Sequence, residues 1–148
     1  MLTVRIVLLW LFIAVPASHA EKLIIGPTAL VVIQEAGISF NARVDTGAET
    51  TSIHAKNIRV ANGKVDYTLI NQSGTEARLS SRIVREGVVK NAEASEKRVF
   101  VYLNIQHQDQ TRKTLVNLND RSKSSYKLLL GRNWLSGSYL VDVDKVAQ

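Results

Sequence analysis

Residues 38–55 read Ile-Ser-Phe-Asn-Ala-Arg-Val-Asp-Thr-Gly-Ala-Glu-Thr-Thr-Ser-Ile-His-Ala. Ile38, Phe40, Ala42 and Val44 fall on one side of an extended chain, and Ser39, Asn41 and Arg43 on the other, so the stretch predicts a strand with one buried face. It runs into Asp45-Thr46-Gly47. Asp and Gly are both disfavoured inside strands, and a strand that stops on them becomes a sharp turn with a carboxylate at its tip. A carboxylate on so rigid a support either does chemistry or caps the backbone.

Working outward, alternation with period two dominates and no helical periodicity runs longer than three turns, so the fold class is all-β. Ala29 to Ile33 forms a second apolar strand, joined to the first through Glu35-Ala36-Gly37 as a hairpin. Asn62-Gly63, set between Asn57–Val60 and Val65–Ile70, is a strong hairpin signal, and a further turn follows at Asn71–Thr75. Val99, Val101, Leu103 and Ile105 alternate with Phe100, Tyr102 and Asn104, which predicts a strand buried at the centre. Residues 85–98 are richly charged with little apolar periodicity and read as a loop or mobile connection.

The chain has 148 residues, 19 basic and 13 acidic, with a net charge of +6 and no cysteine. Residues 1–20 have the form of a cleavable secretion signal: Arg5, an apolar run from Ile6 to Val15, then Pro16 and small residues up to Ala20. That reading leaves one domain, residues 21–148, in the periplasm, with 18 basic and 13 acidic residues and a net charge of +5. Without cysteine there is neither a disulfide framework nor a thiolate site. The cations are scattered along the sequence, with no basic run interleaved with aromatics, so no nucleic-acid partner is expected and the surface reads as solvated and cationic.

A second element lies downstream. Tyr126-Lys127-Leu128-Leu129-Leu130-Gly131-Arg132-Asn133-Trp134-Leu135 is an apolar run closed by Gly131, 86 positions after Asp45. An Asp-Thr-Gly loop followed at that distance by an apolar-apolar-Gly segment and an Arg-Asn pair resembles the retroviral-type aspartic proteases. The likeness sharpens to their bacterial branch, the retropepsin-like aspartic endopeptidases once labelled ATP-dependent zinc proteases. Three segments carry it: Val44 to Ala55, Leu115 to Ser122, and Leu128 to Leu135. With their matching order and spacing, the similarity covers roughly Ile38 to Val143.

The resemblance implies a single-lobed, closed or partly open retropepsin-like β-barrel acting as an aspartic endopeptidase. Two carboxylates about 3 Å apart must share one proton for this chemistry, and the chain supplies one Asp-Thr-Gly, so a homodimer is implied. Asp45 would be the acid/base, Thr46 would bond across the twofold axis to the partner loop, and Gly47 would let backbone approach the carboxylate. Glu49 and Arg132 would pair near the dimer interface, and the hairpin with Gly74 at its tip would be the flap. The residues give the old label no support: with no His-Glu-x-x-His, no cysteine and no phosphate-binding glycine loop, neither metal, ATP nor another cofactor is expected.

The remaining titratable residues have structural readings. His54 is expected to be a satisfied structural side chain, His107 and Asp120 turn residues, and Asp142 and Asp144 charges on an exposed strand edge. Two other functions stay open at this stage. One is a non-catalytic peptide- or protein-binding module on the same fold, capturing an extended segment by strand addition. The other is an accessory subunit of an envelope system with a membrane protein partner.

Overall fold

The computed structural model describes residues 21–90 and 95–146, so the expected signal at 1–20 lies outside the described residues. The strands are β1 (Leu23–Ile25), β2 (Thr28–Ile33), β3 (Ile38–Val44), β4 (Thr51–Ala61), β5 (Lys64–Ile70), β6 (Glu76–Arg82), β7 (Arg85–Lys90), β8 (Ser95–His107), β9 (Gln110–Asn119) and β10 (Leu128–Leu130). A one-turn helix, α1 (Arg132–Leu135), and β11 (Tyr139–Val141) complete them.

Six strands close a barrel in the order β10, β3, β2, β8, β9, β4, with β10 pairing β4 to complete the ring. This is the retropepsin-like all-β architecture that the alternating pattern and the two motifs predicted. Inward positions fill it: Val31, Ile33, Phe40, Ala42, Ile53, Val101, Leu103, Ile105, Val116, Leu118, Leu128 and Leu130 are buried. Trp134 of α1 plugs one end, stacked on Tyr139 with ring centroids 4.5 Å apart. Each fully buried aliphatic or aromatic side chain contributes roughly 1.5–3 kcal/mol.

Strand β4 serves two sheets. Its first half pairs in parallel with β9 inside the barrel, Thr51 opposite Val116 and Ile53 opposite Leu118. At a bulge between Lys56 and Arg59, with Asn57 at φ 54, it turns out of the ring. There it pairs with β5, and β5 pairs with β6, to make an appended sheet of three strands. Val65, Tyr67 and Leu69 bury the inner face of this sheet. Cross-strand register puts Lys56, Arg59, Lys64, Arg78 and Arg82 together on its exposed outer face, where they outnumber the two acids of that face, Asp66 and Glu76. Cations scattered in sequence thus become one cationic surface, because period two sorts residues by face rather than by neighbourhood.

Two expectations are corrected. Residues 85–90 and 95–98 are not a loop: they belong to β7 and β8, which pair from Arg85 opposite Phe100 to Lys90 opposite Ser95. Backbone ladders formed there despite the polarity, since a hairpin at the barrel rim needs only one partly covered face. Asp142 and Asp144 are not on a strand either. The Asp144 N–H donates to Asp142 Oδ1 at 3.0 Å, which makes this a turn beyond β11.

Candidate active site

Asp45 follows directly on β3, and its position is fixed from three sides. Its backbone N–H donates to the Leu130 carbonyl at 3.0 Å. Its Oδ1 accepts the N–H groups of Gly47 and Ala48 at 3.0 and 3.2 Å. A Cβ added to Gly47 would sit 3.2 Å from that same oxygen, so the residue's lack of a side chain leaves the carboxylate room. Thr46 and Gly47 are exposed at the tip.

Behind the tip, the closing block locks the loop in place. The N–H groups of Arg132 and Asn133 donate to the carbonyls of Ala48 and Glu49 at 2.9 and 3.1 Å. Asn133 Oδ1 accepts both the N–H and the hydroxyl of Thr51, at 2.9 and 3.0 Å, while its amide donates to the Leu115 carbonyl at 2.7 Å. Gly131 is required: a Cβ there would meet the carbonyl carbon of Thr50 at 2.6 Å. From β9, the Asn117 amide donates to Thr50 Oγ1 at 3.3 Å and to the Thr51 carbonyl at 3.0 Å. This mesh explains why the two motifs lie 86 positions apart in sequence and side by side in space.

The expected Glu49–Arg132 pair does not form. Arg132 Nη1 instead donates to the carbonyls of Thr46 and Gly47, both at 3.0 Å. Three or four residues of tight turn leave carbonyls facing outward, and a guanidinium that reaches them satisfies two acceptors at once. Glu49 stays exposed.

Asp45 opens onto a cleft of about 640 Å³ whose far wall is the β7–β8 hairpin, with Arg85, Val88, Lys90, Arg98 and Phe100. Strands β7 and β8, and not the turn at Gly74, share this cleft with the carboxylate. The Gly74 turn is anchored at the other end of β3, where the Asn71 amide donates to the Ser39 carbonyl at 3.0 Å. A strand rises about 3.3 Å per residue, so Ser39 and Asp45 are roughly 20 Å apart. The turn expected to be the flap therefore lies away from Asp45, because β5 and β6 belong to the appended sheet.

The cleft is strongly basic. The Arg85 guanidinium lies 3.7 Å from the centre of the Phe100 ring. Arg98, its side chain 9% exposed, donates to Asn117 Oδ1 at 3.0 Å and to Glu96 Oε2 at 3.1 Å. Its Nε and the Ser52 hydroxyl, both on the cleft wall, are buried among the described residues without a protein partner. Arg121 joins them from the turn after β9, its Nε donating to the Tyr126 carbonyl at 3.1 Å. Burial and the neighbouring Arg98 lower the Arg121 pKa from its ordinary value, and Asp45 raises it; an arginine stays charged throughout.

The sequence reading missed Ser52, Arg85, Arg98 and Asn117 as wall residues. Gly87-Val88-Val89 was the available signal, a β-forming pair inside the charged stretch. His54 and Asp120 are where they were expected: His54 is buried at 2% exposure, and Asp120 Oδ1 accepts the Ser122 N–H at 2.9 Å in a turn. His107 closes β8, with its Nδ1 3.2 Å from the Tyr139 hydroxyl.

Over residues 24–147 the chain matches the model of the RimB-like family, described as retropepsin-like aspartic endopeptidase RimB. The chain belongs to the RimB-like family. A solved structure similar to this RimB-like chain is protein Lpg0085 of unknown function from Legionella pneumophila, 28% identical with a TM-score of 0.73, covering 86% of this chain and 98% of that one. Two curated relatives are named probable alpha-L-glutamate ligase, from Shewanella pealeana and Shewanella halifaxensis. They are 32% and 30% identical over 131 residues, which is 82% of this chain. The chain spans 29% of the length of these curated relatives.

Proposed function

We propose that this RimB-like chain is an aspartic endopeptidase working as a twofold pair, with a preference for acidic peptides. The observation that carries the proposal is Asp45, held rigidly by backbone N–H groups at the mouth of a peptide-sized cleft. Asp45 is the one aspartate lining that cleft among the described residues. The exposed Thr46-Gly47 tip is free to meet the same tip of a second copy, bringing in the second carboxylate.

With one proton shared between the two aspartates, the ionised one takes a proton from water as its oxygen attacks the peptide carbonyl carbon. The protonated one donates to the carbonyl oxygen. Collapse of the resulting gem-diol breaks the C–N bond, and a proton passes to the leaving amine. No covalent intermediate forms.

The basic walls supply the preference. Arg85, Lys90, Arg98, Arg121 and Arg132 line the cleft against Asp45 and Glu49, a field that favours carboxylate-bearing substrates. The name of the curated relatives, probable alpha-L-glutamate ligase, supports glutamyl peptides as the class to try first. The secretion-signal reading of residues 1–20 adds a periplasmic location to the proposal.

Residues 21–148 incubated with a peptide library, alongside Asp45→Asn, test this. Cleavage enriched at acidic sequences, absent in the variant, is the expected result. A folded, dimeric protein that binds acidic peptides without cutting them would show a binding module instead.

A further inference from the structure

The Arg121 side chain reaches the cleft from the turn between β9 and β10, and that turn is largely tied to itself. Lys127 Nζ donates to the carbonyls of Arg121, Ser122 and Ser124 at 3.1, 2.8 and 2.8 Å. Two bonds fasten this unit to β4, and both involve His54. The His54 N–H donates to the Lys127 carbonyl at 2.7 Å. In return His54 Nδ1 accepts the Arg121 N–H at 2.8 Å. Only the second bond runs through a titratable atom. A ring nitrogen that accepts a hydrogen bond carries no proton, so this contact assigns the neutral ring with its hydrogen on Nε2.

We propose that neutral His54 is the positioning residue that holds Arg121 at the wall of the cleft, and that protonation of the ring releases it, weakening substrate binding in acid. The proposal rests on the reading of the cleft as the substrate site. A proton on Nδ1 would set two N–H donors against each other at the present 2.8 Å, and they must part. A new partner is at hand: Asp120 Oδ1 lies 3.7 Å from the same Nδ1. The ring therefore has two bonding states, neutral and accepting from Arg121, or cationic and donating to Asp120. Arg121 is adjacent in sequence to Asp120, so a shift of this turn that brings Asp120 onto the ring and parts the Arg121 N–H from it moves the arginine on the cleft wall.

The charged groups around the ring are divided. Burial opposes its protonation most strongly, and Lys127 and Lys56 add to that. The Asn119 backbone and Asp120 favour it. The balance lowers the His54 pKa below its ordinary value, so the release lies below about pH 6.5. This acid limb acts on KM, whereas loss of the shared proton at alkaline pH acts on the chemical step.

Two measurements test the switch on residues 21–148. In the free protein, ¹⁵N NMR should show the Arg121 amide moving with the His54 ring through a common midpoint below about pH 6.5; an Arg121 amide that stays put while His54 titrates overturns the proposal. This arm needs no activity, so it decides the switch even if the protein cuts no peptide and the proposed function falls. With a cleaved glutamyl peptide, KM should rise about tenfold from pH 7 to pH 5, the scale of one charge-assisted contact. In His54→Asn the rise should disappear, because Asn Oδ1 can accept the Arg121 N–H and does not titrate. The same rise in His54→Asn would overturn the proposal, and if that variant does not fold the amide titration decides.

Discussion

The molecule has two basic regions built from the same side chains, and they differ in what holds them. In the cleft, Arg85 lies over Phe100, Arg98 bonds Asn117 and Glu96, Arg121 bonds Tyr126, and Arg132 bonds two carbonyls of the Asp45 loop. On the appended sheet, Lys56, Arg59, Lys64, Arg78 and Arg82 are exposed and form no ion pair among the described residues. Arg85 and Arg132 are exposed and Arg98 and Arg121 partly buried, but each is held by a partner and has already lost conformational freedom, and the two partly buried ones act at higher effective field strength. A solvated one is screened by salt within about 10 Å. Net charge therefore says little about where an anionic ligand binds; anchoring decides.

Several measurements would sharpen or break this contrast. The largest effect is expected at the acid the cleft cations surround. Asp45→Asn should lower peptide hydrolysis by about 10³-fold while leaving the melting temperature within a degree or two, since Asn can still accept from Gly47 and Ala48. A comparable loss from reversing Arg59 and Arg78 on the outer sheet would break the contrast outright.

Next in size is Gly131→Ala, which forces Thr50 backbone away from the closing block. Overpacking of this kind costs about 1–3 kcal/mol, readable as a lower urea midpoint with an unchanged slope. An unaltered midpoint would mean that the mesh behind Asp45 is looser than its hydrogen bonds indicate.

Arg98→Met against Arg78→Met tests the two regions directly. The first leaves Asn117 Oδ1 buried without its donor, at a cost of about 1–3 kcal/mol, and should also raise KM for an acidic peptide. The second should fall within about 0.5 kcal/mol of wild type. Equal effects would show that anchoring gives the cleft cations no advantage.

The smallest effect is the pH dependence of stability. His54 and His107 both have pKa values lowered by burial in the fold. The unfolded chain therefore takes up protons first as the pH falls, so stability is intact above about pH 6.5 and declines below it until the folded values are passed. Melting curves between pH 8 and pH 5 should show the decline. His54→Asn should remove part of it, and a flat profile would contradict the burial of these rings.

Much of the fold was legible in the sequence. Ile38 to Val44 announced a one-sided strand, Asn62-Gly63 a hairpin that the structure closes at φ 50 and 71, and the Leu128–Gly131 run an element beside Asp45. These are local signals: side-chain period and turn chemistry act over a few residues and leave a trace at each one. The presence of the carboxylate, its turn and its closing block followed from the sequence alone.

What faces that carboxylate did not. The β7–β8 hairpin looked like a loop because its strands cover the rim of the barrel with charged side chains, and the Gly74 turn looked like a flap because linear distance ignores the inserted sheet. Arg132 chose carbonyls over Glu49, and Arg98 and Arg121 became neighbours of Asp45, only once β8 and β9 had paired. Sequence determined which residues alternate, turn and carry charge; the tertiary structure decided which of them share a wall, because strand register and barrel closure join positions that no local rule connects.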